Sequence, residues 1–113
     1  EPGRRRDMLK SADAIAEEIC GAILGDLGDR VKGPALLFIN GFGGTPLMEL
    51  YLMYNSARKI FEKRGVTVTR SLVGSYVTSL DMAGCSITLT MLDDETTALW
   101  DAPVHTAALR WGL

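Results

Sequence analysis

"FINGFGGTPLMELY", residues Phe38 to Tyr51, joins an apolar run to an amphipathic one through Gly41, Gly43 and Gly44. A strand that feeds a helix through glycines can hold an anion on the helix's first amides, or it can simply turn a corner. Neither known phosphate fingerprint is complete here. A dinucleotide loop wants GxGxxG but meets Pro46 in its last place, and a P-loop wants GK[ST], which is absent. The residues therefore favour a sharp turn over a phosphate cradle.

Working outward, "PALLFIN", Pro34 to Asn40, is short and apolar almost throughout, the pattern of a strand covered on both faces. After the glycines, Thr45 is placed to cap a helix and Pro46 suits its first position. Met48 stands where a capping box would want Glu or Gln, so that motif is incomplete. Leu47, Leu50, Tyr51, Tyr54, Ala57 and Phe61 fall on one helical face, and Lys63, Arg64 and Gly65 close the helix. Val66 to Val73, "VTVTRSLV", is β-branched and predicts a second strand. Strand, helix, strand is a parallel crossover unit.

The link "GSYVTSLDMAG", Gly74 to Gly84, is too short and too irregular for another crossover. Beyond it, Cys85, Ile87, Leu89 and Met91 alternate with Ser86, Thr88 and Thr90, so a third strand is expected, antiparallel to the second and less covered on its polar face. Upstream, the apolar recurrence from Met8 to Leu24 predicts a helix over Asp7 to Leu24, stopped by Gly25 and followed by a polar loop to Gly33. Asp93-Asp94-Glu95 would open a short helix to Trp100. The expected fold is one α/β domain over residues 1–113, with two layers and a mixed sheet: a parallel β-α-β unit plus an antiparallel strand.

Composition sets limits. The 113 residues are 47% apolar and 23% charged, with a net charge of −2, which argues against a general nucleic-acid binder. Arg4-Arg5-Arg6 is the one basic run and reads as a solvated face or a frayed end, ahead of an anion contact. No apolar run is long enough to suggest a membrane span. Cys20 and Cys85 stand far apart on apolar faces, so both read as buried thiols, and a cytoplasmic address is the default.

The polar candidates are weak as chemistry. Adjacent Asp93, Asp94 and Glu95 point apart on a helix and suit a cap better than a metal. His105, the one histidine, lies in the tail and reads as a packing contact. Ser79 shows no dedicated base, and Ser79 and Asp81 beside glycines more often bond their own backbone. Trp100 and Trp111 are expected to cover the core as the tail folds back.

Three long blocks in order carry a resemblance: "INGFGGTPLMELY", "GSYVTSLDMAGCSITL" and "LDDETTALWDAPVHTAALRWG". Together, from Lys32 to Gly112, they are similar to the C-terminal domain of the substrate-binding subunit of dihydroxyacetone kinases, of the type served by the phosphotransferase system. Glu1-Pro2-Gly3 resembles that family's "HGEPG" segment, whose histidine holds dihydroxyacetone as a hemiaminal and would precede Glu1 by two residues. The resemblance implies that the reacting groups lie outside these residues and that the chain alone is inactive. It implies an ADP-binding partner subunit, a phosphocarrier partner subunit and a homo-oligomer, with no cofactor or metal on this chain. Candidates for contact with substrate or partner are Glu1, Asn40, Gly41, Gly43, Gly44, Thr45, Ser79 and Asp81. Removal of a neighbouring domain would bare an apolar patch that invites self-association. The alternatives are a stand-alone binding or regulatory module of the same fold, and a small anion-binding enzyme using Gly41 to Thr45.

Overall fold

A computed structural model describes Gly3 and residues 5–113. The elements in chain order are α1 (Ala12–Leu27), a 3-10 turn (Gly28–Arg30), β1 (Gly33–Gly41), α2 (Leu47–Lys63), β2 (Val66–Gly74), β3 (Cys85–Met91), α3 (Asp94–Asp101), β4 (Val104–His105) and β5 (Arg110–Trp111). The main sheet has the order β2-β1-β3, with β1 and β2 parallel and β3 antiparallel to β1. The mixed α/β sheet is as expected. No described helix is long and apolar enough to cross a membrane.

Both long helices lie on one face of the sheet. Ala16, Cys20 and Leu24 of α1 meet Leu50, Met53, Ala57 and Phe61 of α2 over Ala35, Leu37 and Ile39 of β1, and all are buried. The expectation that β1 is covered on both faces is thus overturned. Its alternate residues Leu36 and Phe38 are only half-buried, with the Tyr76 ring tilted against Phe38 at 6.0 Å.

A bulge decides what the other face carries. Ala35 pairs with Val68 but Leu36 pairs with Arg70, leaving Thr69 as an extra residue in β2. In an unbroken strand Arg70 would share the inward side of Val66 and Val68, where a guanidinium would be desolvated without a partner. The extra residue turns it outward, beside Leu36. There Arg70 makes a two-pronged bond to Asp101 of α3, at 2.7 and 2.6 Å.

Four local expectations need correction. The first helix starts at Ala12, not Asp7, because the Ser11 hydroxyl accepts from the Ala14 amide and caps it there. Asp7 instead accepts from its neighbour Met8 and from Lys10, leaving Met8 and Leu9 84% and 94% exposed. Gly25 does not stop the helix, which runs on to Leu27; Gly28 stops it at a φ of 58°, and a 3-10 turn occupies part of the expected loop. The buried stripe of α2 is rotated: Met53 and Ser56 are inside, while Leu47 and Tyr51 are more than half exposed. Trp100 and Trp111 do not cover the core but pair with each other at 5.0 Å, with the Trp111 indole N–H donating to the Ala102 carbonyl.

The short helix after Leu92 forms as expected. Asp93 caps α3 in a reciprocal box with Thr96. Cys20 and Cys85 are free thiols. Burial pushes Cys20 up to about 11 and raises Cys85 as well. Arg5 pairs with Asp7 and Glu18, as befits a solvated face.

Two outcomes follow. Phe61, fully buried where α2 meets the sheet, is the side chain whose truncation should hurt most: Phe61→Ala is expected to cost about 3–5 kcal/mol in urea unfolding. Acid should loosen α3 first. The Thr96 amide and hydroxyl hold the Asp93 carboxyl, and the Arg70 guanidinium that of Asp101, below the ordinary 3.8. A carboxyl lowered by folding stabilises above its unfolded value and loses that contribution as pH falls through the folded one. Fluorescence of Trp100 and Trp111 should therefore report the change on the acid side of 3.8; a change confined to rising pH would contradict it.

Candidate functional site

The glycine turn sits where β1 ends, and the Gly74–Gly84 link is folded against it. Asn40, 3% exposed, is the centre of the junction. Its side-chain oxygen accepts from the Tyr76 and Val77 amides, both at 2.9 Å, and its NH₂ donates to the Val77 carbonyl at 2.8 Å. A side-chain amide is suited to this, because it offers acceptor and donor side by side. Thr45 does the same at the other end of the link. Its hydroxyl accepts from the Gly84 N–H at 2.7 Å and donates to the Gly84 carbonyl at 3.1 Å. Thr45 is thus not the helix cap expected of it: Pro46 takes that position, with no side-chain cap bond.

Backbone bonds close the gap between these two anchors. Phe42 N–H donates to Gly84 O at 3.2 Å, Gly44 N–H to Met82 O at 2.9 Å, and Ser79 N–H to Phe42 O at 2.9 Å. Such closeness needs glycine. A Cβ on Gly44 would stand 2.9 Å from the Met82 carbonyl oxygen, and one on Gly41 would meet Ser75 Oγ at 2.7 Å and Leu50 at 2.8 Å. Gly43 also adopts a φ of 109°.

The opening question has a physical answer here. An anion cradle needs amides that point at a ligand. The Phe42 and Gly44 amides point at carbonyls of the protein's own loop. The turn is a clasped corner.

Of the sequence candidates, Asn40, Gly41, Gly43, Gly44, Thr45 and Ser79 come together at this end of the sheet. Ser79 joins through its amide, and neither its hydroxyl nor the Asp81 carboxylate makes a hydrogen bond among the described residues. The backbone-bonding role expected of those two side chains is therefore not what the geometry shows. Both side chains are exposed on the loop, next to Leu80, whose side chain is fully in solvent, and Met82. Glu1 lies outside the described residues. Sequence reasoning missed Gly84, Phe42 and Tyr76; the only hint was glycine at both ends of the link.

Among the described residues no group of His, Cys, Asp and Glu is arranged to hold a metal ion. His105 lies opposite Arg110 in the β4–β5 pair. The site is a hydrogen-bonded surface with exposed polar and apolar side chains, and its bonding is structural.

The Dak1 domain family matches residues 1–108. The chain belongs to this family. It is 55% identical over 85 residues to the dihydroxyacetone-binding subunit of the PEP-dependent dihydroxyacetone kinase of Escherichia coli K12, covering 75% of this chain and 23% of that protein. It is 36% identical over 112 residues to the D-erythrulose kinase of Mycolicibacterium smegmatis, covering 99% of this chain and 19% of the relative. A solved structure titled for regulation of the dha operon of Lactococcus lactis superposes with a TM-score of 0.79 at 30% identity, over 88% of this chain and 32% of the other. This Dak1 chain thus spans a third or less of the length of these relatives.

The clasp can be weighed by removing its parts. Asn40→Ala strands two amides and a carbonyl, and should cost about 1–3 kcal/mol in urea unfolding. Gly44→Ala should also destabilise, since the new methyl must push the Met82 backbone away. Loss of less than about 0.5 kcal/mol in both variants would contradict the account.

Proposed function

We propose that this Dak1 chain is the scaffold portion of a kinase subunit that binds dihydroxyacetone for phosphorylation in triose metabolism. The family match and the E. coli relative, whose name describes a dihydroxyacetone-binding subunit, support the reading. The observation that carries the chain's own part in it is the clasped corner. A junction that spends its Phe42 and Gly44 amides on its own loop supplies shape and support to a substrate site, with the phosphate handled elsewhere.

In this reading the triose is held with help from other parts of the subunit. Contacts from this chain fall to Glu1, Asn40, Gly41, Gly43, Gly44, Thr45, Ser79 and Asp81. Ser79 and Asp81 are the side chains that remain exposed and uncommitted at the junction. The phosphoryl group comes from an ADP-bearing subunit recharged by a phosphocarrier subunit, in the cytoplasm, and the working form is a homo-oligomer. No cofactor resides on this chain. A second reading, a regulatory module of the same fold, is favoured by one finding: the solved structures similar to this chain include an operon co-activator, with a TM-score of 0.79 and 31% identity.

The test is a chimera in which this chain replaces the matching segment of the E. coli subunit, assayed for dihydroxyacetone phosphorylation with the partner subunits. The kinase reading expects kcat/KM within about tenfold of the parent, a difference of roughly 1.4 kcal/mol. Ser79→Ala or Asp81→Ala in the chimera should raise KM by roughly tenfold if either side chain meets the triose or its neighbouring loops. A folded chimera that binds no triose would overturn the kinase reading and leave the regulatory one.

A further inference from the structure

We propose that the Asn40-Gly41 pair is a latent self-modification site: the Asn40 side-chain amide is lost as ammonia when the corner unclasps and is protected while it stays closed. The inference goes beyond the kinase reading and rests on the sequence and geometry of the clasp alone.

The fold and the chemistry of this pair pull in opposite directions. Asparagine suits position 40 because its side chain accepts from the Tyr76 and Val77 amides while donating to the Val77 carbonyl. Glycine is required at position 41 because a Cβ there would meet Ser75 Oγ at 2.7 Å and Leu50 at 2.8 Å. Yet asparagine followed by glycine is the pair in which a chain most readily attacks itself. The nitrogen of the second residue closes on the side-chain carbon of the first, and without a Cβ nothing hinders its approach. The chain holds one other asparagine, Asn55, and no glutamine. Asn55 lies within α2 ahead of Ser56, so helical backbone and a following side chain both hinder it.

The steps balance without oxidant or reductant. The Gly41 nitrogen bonds to Asn40 Cγ and gives up its proton, the Cγ–Nδ2 bond breaks, and ammonia departs from a cyclic imide. Water then opens the ring. Addition at the side-chain carbonyl leaves an aspartyl residue, and addition at the main-chain carbonyl leaves an isoaspartyl residue with an extra carbon in the backbone.

The closed corner opposes this ring. Asn40 and Gly41 end the central strand, and Asn40 is paired with Gly74 on one side and Ser86 on the other. An extended backbone carries the Gly41 nitrogen away from Cγ, and turning it back would break both ladders. The side-chain amide is also held toward the Tyr76 and Val77 backbone, and it is buried away from the water that the second step consumes. One feature has the opposite sign. The N–H groups on Oδ1 draw electrons from Cγ and by themselves would favour attack, as in an oxyanion hole. Geometry wins, because a polarised carbon is of no use to a nucleophile that cannot reach it.

The product does not fit the clasp. An aspartate carboxylate keeps acceptors for the Tyr76 and Val77 amides but offers no proton to the Val77 carbonyl, which lies 2.8 Å from the nitrogen it replaces. An isoaspartyl residue lengthens β1 and displaces Gly41, where Ser75 and Leu50 leave no room. Modification is therefore a ratchet. A corner that opens too often ends open, and the loop bearing Ser79 and Asp81 loses its anchor.

Peptide mass spectrometry of the unmodified chain at mildly alkaline pH reads the reaction as the mass gain of an amide turned to an acid, with Asn55 as internal reference. The free peptide LFINGFGGT, residues 37–45, gives the unhindered rate. In the folded chain Asn40 should react at least about a hundredfold more slowly, and the chain in concentrated urea should match the peptide. The slowing should agree within about tenfold with the exchange protection of the Tyr76 and Val77 amides, because both need the same opening. Gly44→Ala, which strains the corner without touching Asn40, should speed the loss roughly tenfold. Thr45→Ala, which removes both bonds to Gly84, should act in the same direction and serves if the glycine variant does not fold. Asn40→Asp should keep its far-UV circular dichroism but lose the protection of Tyr76 and Val77. An unreactive peptide would overturn the proposal, as would loss from the folded chain at the peptide's rate, or slowing that does not follow the protection of those amides. So would a rate unmoved by the folded variants, or Asn40→Asp with its protection intact.

Discussion

Asn40 holds the functional end of this domain together. It is buried at the end of the central strand and spends its side-chain oxygen and one amide hydrogen on the link between β2 and β3. Left without that link, its amide would be a buried polar group with nothing to bond, and without Asn40 the link would lose its attachment to the sheet. The glycines are the other half of the constraint. Only residues lacking Cβ at Gly41 and Gly44 allow two backbones to come this close, and Thr45 then fastens Gly84. Side-chain clasp, glycine approach and backbone bonds form one unit, and it occupies the Phe42 and Gly44 amides of the turn.

The rest of the domain keeps that unit in place. Two helices cover one face of the sheet, so the end of β1 projects from a rigid base. On the other face a bulged residue aims Arg70 at Asp101, tying α3 to β2. These features divide the surface by role. The end of the sheet offers a fixed loop with exposed Ser79, Leu80 and Asp81, whereas the side of the sheet offers the bare edge of β3.

Much of the architecture was legible because it depends on local pattern. The alternation from Cys85 to Met91 fixes a half-covered strand, and a helix between two β-branched runs fixes a parallel pair. The short link fixes the reversed direction of β3. What was missed depends on competition between partners. Thr45 is a good helix cap by type, but its hydroxyl is engaged by the Gly84 amide and carbonyl. Met8 and Leu9 fit a helical period, but Ser11 offers the first amides a better start. The two-sided cover expected for β1 failed because apolar content does not say which face a helix will choose. The family blocks were legible as blocks, while the reason for their glycines was visible only when the link lay against the turn.

The direct measurement is hydrogen exchange at the Tyr76, Val77, Gly44 and Gly84 amides of the unmodified chain, followed by NMR with and without inorganic phosphate. A clasped corner requires these amides to exchange as slowly as those in the middle of β1, and phosphate should leave their shifts and rates unchanged. Exchange at the speed of an open loop, or Gly44 and Gly84 moving on addition of phosphate, would show donors free for a ligand and contradict the account.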